Sequence, residues 1–353
     1  MHPSRPIRTR SFVGLVAPFV LCVMGLTATG SAQATDATAP SSAGSQSSIP
    51  TLQTLDQSVR AQDYTAIQLR RFRSPQANVV TVREKLEVDA NGTQLPTFAL
   101  TFLGVEGEAA GSPVSLEWQQ VYARFAPQLY AHGSFRIRDL VAATTNYSIH
   151  DFGSVVRANR SARRMVVFPA TLDKAIWVVD VDVQTDVPLY AAEFDVHLNL
   201  LSEVETIVFT DTVAPLASAV TAPTPLPNFA AASAAMGHPA EIVEPTVAVT
   251  NEYSLDRIEV HNDPLNGQWK LTMTYTDGID QFMVVQAPGT QDLFAGLPGQ
   301  GQGGNVIGRF RDPAMSVLLF WESGVSFHVA GRGALKRLDG LAQAIYLQAL
   351  SSH

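Results

Sequence analysis

From Trp177 the chain alternates cleanly between apolar and polar positions. Trp177, Val179, Val181 and Val183 fall on one side of an extended segment, with Asp180, Asp182 and Gln184 on the other. The turn residues Gln184 to Pro188 follow. Tyr190, Ala192, Phe194, Val196 and Leu198 then form a second apolar side, and Glu193, Asp195, His197 and Asn199 are expected to face water. A third segment, Glu203 to Thr210, continues the meander. No crossover helix fits between these segments, so the predicted sheet is antiparallel, with one face apolar and the other solvated. β-branched and aromatic content predicts two earlier strands, Asn78–Val88 and Gln94–Leu103, on either side of the turn signal Asp89-Ala90-Asn91-Gly92. A short apolar segment, Met165 to Pro169, reads as a further strand ending in proline.

Helical spacing takes over elsewhere. Within Ser115–Tyr130, Trp118, Val121, Tyr122, Phe125 and Leu129 recur at three- and four-residue steps and share one face of a long helix. Leu52, Leu55 and Val59 predict a shorter helix. A second block opens with the hairpin Trp269–Thr276 and Gln281–Gln286, turning through Asp277-Gly278, a dipeptide that takes tight reversals readily. Strands are predicted over Asn305–Phe310, Met315–Trp321 and Val325–Val329. An amphipathic helix over Ala334–Leu350 then places Leu338, Leu341, Ala342, Ile345 and Ala349 on one side. Strand runs followed by a covering helix give an α+β fold class.

Arg5, Arg8 and Arg10 precede the apolar run Phe12–Leu26, and Ala32-Gln33-Ala34 follows it. This is the order of a signal peptide over residues 1–34, cleaved after Ala34; the alternative is an uncleaved N-terminal anchor. The apolar run is short for a spanning helix, and no later stretch holds 18 uncharged apolar residues. The mature chain is therefore expected to be exported and to lack a transmembrane segment. Cleavage also removes Cys22, the single cysteine, leaving no thiol for a disulfide or a metal. Residues 35–50 read as a flexible tether and residues 212–249, rich in breakers, as a linker. The alternative for part of that linker is a short Ala-rich helix over Phe229–Met236. Two folded blocks remain, 51–211 and 250–353.

Composition narrows the function classes. Apolar residues at 46% against charged residues at 16% exclude a disordered chain. A net charge of −8 argues against nucleic acid, which needs a basic footprint. Catalytic motifs are missing: there is no G-x-S-x-G and no H-E-x-x-H. His261-Asn262-Asp263, beside Pro264, and His150-Asp151 both read as turns, and His197 as a solvated residue. The glycine run Gly299 to Gly304 lacks a following Lys-Ser/Thr and reads as a loop. Asp180 and Asp182, both pointing to water, lack the unlike environments that an acid and base pair needs. The expectation is a binding protein with no catalytic residues, metal or cofactor, not an enzyme.

Two segments resemble a known family. Asp182-Val-Gln-Thr185-Asp186-Val187-Pro188-Leu189-Tyr190, Glu193-Phe194-Asp195 and Val208-Phe209-Thr210-Asp211 are similar to the "D-x-x-T-G-L-P-L … E … F-T-D" hairpin of periplasmic LolA-like domains, including the RseB/MucB sigma-E regulatory proteins. Leu271 to Val285, LTMTYTDGIDQFMVV, resembles the "Y-S-D-G-L" hairpin of the RseB carboxyl-terminal domain. Asp186 stands where that family usually has Gly, and Asp enters left-handed conformations more readily than most residues. The resemblance implies a LolA-like half-open antiparallel β-barrel with helices over 51–211, then a smaller antiparallel α+β domain over 250–353. It further implies a periplasmic regulator that binds the periplasmic region of a membrane anti-sigma factor, with lipid or lipoprotein sensed in an apolar cavity. The alternative is a lipid or lipoprotein carrier without a regulatory role. On this resemblance Trp118, Tyr122, Phe125, Trp177, Val179 and Phe194 line the cavity; the other reading of the same side chains is a closed core.

Overall fold

A computed structural model describes residues 50–73, 79–90, 96–171, 174–213, 216, 225–236, 253–262, 268–288, 308–311, 316–322, 324–331 and 342–347. The alternating segment at Trp177 lies in an open antiparallel sheet. Among the described residues that sheet holds β1 (Tyr64–Arg73), β2 (Val79–Asp89), β3 (Thr97–Val105), β4 (Tyr147–Arg157), β5 (Arg160–Pro169), β6 (Ile176–Asp182), β7 (Pro188–Phe194) and β8 (Leu200–Thr210). Their order is β3-β2-β1-β8-β7-β6-β5-β4, so the pairing of β1 with β8 joins the early hairpins to the later meander. Helix α1 (Leu52–Ala61) starts on a reciprocal cap between Thr51 and Thr54. Helix α2 (Pro113–His132) starts with Ser112 accepting from the Ser115 amide and Pro113 in the first turn. In α3 (Leu140–Asn146) Asp139 caps the Ala142 amide.

The second sheet is smaller: β9 (Ser254–Asn262), β10 (Trp269–Thr276), β11 (Gln281–Pro288), β12 (Gly308–Arg311), β13 (Ser316–Glu322) and β14 (Val325–Gly331), in the order β12-β13-β14-β11-β10-β9. The Ala-rich segment is helix α4 (Phe229–Met236), and its buried Ala232 joins Ile258, Leu271, Phe282 and Phe327 in the core of this sheet. Residues 342–347 are helical and add Ala342 and Ile345 to the same core. The rest of the expected terminal helix, the 299–304 glycine run and the 1–34 leader lie outside the described residues. The fold is α+β, with each antiparallel sheet covered by helices.

Two strands carried no strong pattern. β1 buries Gln68 and Arg70, so its inward positions look polar. β4 is an edge strand with a register shift between Asp151 and Ser154, where the Asp151 carboxylate accepts from the Gly153 amide. His150-Asp151 therefore lies in a strand and not in a turn, and His261 and Asn262 end strand β9.

The facing of β7 also differs from the alternation read in the sequence. Trp177 pairs with Glu193 and Val179 with Ala191, so these four share the inner face. Tyr190, Ala192 and Phe194 take the outer face with Leu200. β7 stops at Phe194. Asp195 then forms a loop, its carboxylate accepting from the amides of His197 and Asn199, and Val196 and Leu198 are left exposed.

Candidate functional site

Helix α2 lies along the inner face of the early strands. Trp118 and Tyr122 from its apolar stripe are buried, and the Tyr122 ring tilts against Phe102 of β3 at 5.5 Å. The Tyr122 hydroxyl donates to Glu84 Oε2 of β2. From β1, Arg70 donates through Nη2 to Glu84 Oε1 at 2.8 Å and through Nη1 to the Gly133 carbonyl just past the helix. Glu84 has no exposed surface at all. A carboxylate so deep is tolerable only because a guanidinium and a phenol satisfy it. The early half of the sheet is thus tied to α2 by a polar triad, where an apolar contact was expected.

A cavity of about 60 Å³ lies beside this triad, between the end of α2 and strands β1, β2, β7 and β8. Tyr64, Gln68, Tyr130, Arg136, Leu189 and Thr206 are among its lining. Gln68 Nε2 donates to Thr206 Oγ1 at 3.2 Å, and the Arg136 guanidinium stacks 4.5 Å above the Tyr130 ring. Burial, with the neighbouring Tyr130, pushes the Tyr64 phenol well above its ordinary range. The hollow has room for a few waters and its lining is about half polar, and an acyl chain needs several times that volume.

Of the six side chains expected to line one apolar cavity, the five that are described do not share a wall. Trp118 and Tyr122 pack under α2. Trp177 and Val179 lie further along, in a closed core with Met165, Val167 and Phe135, whose ring meets Trp177 edge-on at 5.4 Å. Phe194 is on the opposite face of the sheet. The Phe125 side chain lies outside the described residues. The polar part of the cavity lining includes Gln68, Arg70 and Arg136, residues that no periodicity singles out.

Asp180 and Asp182 do not point to water. Asp180 is fully buried between Arg157 Nε at 2.6 Å and Arg164 Nε at 2.7 Å. Arg157 continues to Glu205 at 2.9 Å and lies 4.2 Å over the Tyr190 ring. Burial pushes the Tyr190 phenol up to about 12. Asp182 accepts from Arg160 and from both the amide and hydroxyl of Thr185. Burial opposes the charge on Asp182, but these bonds outweigh it and hold the carboxyl below its ordinary range. Asp186 follows with φ 56°, the left-handed conformation that its turn position requires.

The β10–β11 turn reaches from the second sheet into the first. Asp277 is fully buried; its Oδ2 sits 2.6 Å from Lys174 Nζ and accepts from the Tyr147 hydroxyl at 3.0 Å. Asn146 Nδ2 donates to the Asp277 carbonyl at 2.8 Å, and the Arg138 amide donates to the Gly278 carbonyl at 2.8 Å. Ile279 enters the core that holds Leu52, Phe135, Tyr147 and Trp177. Asp280 accepts from the Tyr253 hydroxyl at 2.8 Å. Burial, then the adjacent Asp280, raise the Asp277 carboxyl above its ordinary range, against the pull of Lys174.

No protein-family model matches this chain, and no curated protein does. Solved structures similar to it include MucB in complex with MucA(peri), at 14% identity over 82% of this chain and 95% of that one, with a TM-score of 0.45. The Pseudomonas aeruginosa MucA/MucB complex matches at 14% identity over 82% and 95%, TM-score 0.44. MucB alone matches at 15% identity over 84% and 95%, TM-score 0.45. A putative outer membrane lipoprotein-sorting protein domain from Vibrio parahaemolyticus matches at 10% identity over 47% of this chain and 91% of that one, TM-score 0.19. Among the described residues no helix is long and apolar enough to cross a membrane.

Proposed function

We propose that this chain is an exported, non-catalytic regulatory protein that binds the periplasmic region of a membrane anti-sigma factor and shields it until an envelope-stress signal arrives. One observation carries the reading. The two segments that resemble the RseB/MucB family are those on which the architecture turns. Asp182 to Tyr190 builds the capped β6–β7 turn, and Tyr275 to Asp280 builds the contact between the two sheets. A resemblance that includes such positions is what a shared two-part arrangement leaves behind when the remaining sequence drifts. The cavity beside α2 is small and half polar, where a dedicated lipid carrier needs a standing apolar hollow.

The test is capture from the native envelope with tagged full-length chain after crosslinking. The expected catch is a single-pass membrane protein with an anti-sigma domain, encoded beside a sigma factor. Capture should disappear when residues 250–353 are deleted. Full capture by residues 51–211 alone defeats the proposal. Acyl chains co-purifying in stoichiometric amount, seen by mass spectrometry, point instead to the carrier.

A further inference from the structure

The β10–β11 turn is held by two separable sets of bonds. One set is internal. Gly278 N donates to Thr276 Oγ1 at 3.0 Å, Thr276 Oγ1 donates to the Asp280 carbonyl at 2.8 Å, and Asp277 Oδ1 accepts from the amides of Ile279 and Asp280 at 3.2 and 2.9 Å. These bonds shape the turn whether or not it touches the first sheet. The other set is external: Lys174 and Tyr147 on the Asp277 carboxylate, the Asp280 amide donating to the Tyr147 hydroxyl, Asn146 on the Asp277 carbonyl, the Arg138 amide on Gly278, and the Ile279 side chain in the core beyond, with the Arg138–Asp256 ion pair beside them. A preshaped turn that enters a foreign core through one isoleucine can leave without either domain unfolding.

Electrostatics decides whether it stays. Asp277 and Asp280 are both buried, and the nearby Asp280 disfavours charge on Asp277. Lys174, itself buried, brings a cation to 2.6 Å from one of them and lies 5.4 Å from the Tyr253 ring centre. Burying such a cluster is tolerable only while its charges are compensated.

We infer that the Asp277–Asp280 turn is a removable plug. Lys174 and Tyr147 hold its carboxylate, Ile279 fills an apolar pocket of the first domain, and withdrawal of the turn lets the domains separate and opens that pocket to an apolar chain. The buried cluster that Ile279 joins includes Leu52, Phe135, Tyr147 and Trp177. The inference stands on the geometry of the turn and does not depend on the partner being an anti-sigma factor.

The test uses the full mature chain, small-angle X-ray scattering and the apolar dye 1-anilinonaphthalene-8-sulfonate. Lys174→Met is expected to enlarge the radius of gyration and raise dye fluorescence about twofold or more while far-ultraviolet circular dichroism stays native. A Lys174→Met protein as compact as wild type, with unchanged dye signal, overturns the plug. Should Lys174→Met lose its fold, the charge-neutral pair Lys174→Met/Asp277→Asn decides. A folded, compact pair supports charge compensation, and an unfolded pair overturns it. Ile279→Ser leaves every charge in place and tests the pocket separately. Increased dye binding supports the pocket, and a wild-type signal removes it from the proposal.

Discussion

Gly278 lies so close to Ala143 that a Cβ on Gly278 would stand 2.2 Å from the Ala143 amide nitrogen. Its φ of +113° adds strain for any L side chain. Gly278→Ala is therefore expected to cost roughly 3 kcal/mol or more through strain and backbone displacement. Urea titration of wild type and variant measures it. A loss below about 1 kcal/mol means that α3 yields where the packing says it cannot.

The Arg70–Glu84–Tyr122 triad makes a prediction in three parts. Tyr122→Phe leaves one buried carboxylate bond unmade and should cost about 1–3 kcal/mol. Glu84→Leu strands the Arg70 guanidinium and should cost about 3–5 kcal/mol. Arg70→Met combined with Glu84→Leu should recover much of that loss, since both partners then become apolar together. Equal losses in the single and double variants would show that the charge pairing is not what matters there.

His328 supplies a pH dependence. Burial, with the charge of Lys270, lowers its pKa from 6.5 to about 4. A base whose folded pKa is depressed binds its proton more readily unfolded, so stability falls as pH drops from about 6.5 towards 4 and is retained above. Thermal melts at pH 7.5 and pH 5 should show wild type losing on the order of 1 kcal/mol or more between them. His328→Gln should flatten that part of the difference.

Asp182 acts with the same sign at lower pH. Its folded pKa is depressed, so its contribution is full above the unfolded value of 3.8 and disappears as pH falls through the folded value. Asp182→Asn should lose roughly 1–3 kcal/mol at pH 7, the worth of hydrogen bonds to a charged group, and the gap to wild type should close below about pH 4. Acid titration of both proteins by circular dichroism checks this. A gap that stays constant into acid assigns the loss to packing.

The chain's local patterns determined a good deal. Alternation from Trp177 located the meander, the Asp277-Gly278 pair located the hairpin, the Trp118–Leu129 stripe located α2, and the alanines of Phe229–Met236 formed the short helix that their composition allows. These follow because period and turn chemistry act on neighbours along the backbone. Which face of β7 is inner, why Asp180 is buried, how Arg70 meets Glu84 and where Ile279 goes were decided only by tertiary structure. Alternation divides a strand into two faces without saying which one is covered, and an ion pair makes a polar face as buriable as an apolar one. The partners that settle both questions lie on other elements far along the chain, 131 residues away for Asn146 and Asp277 and 138 for Gln68 and Thr206.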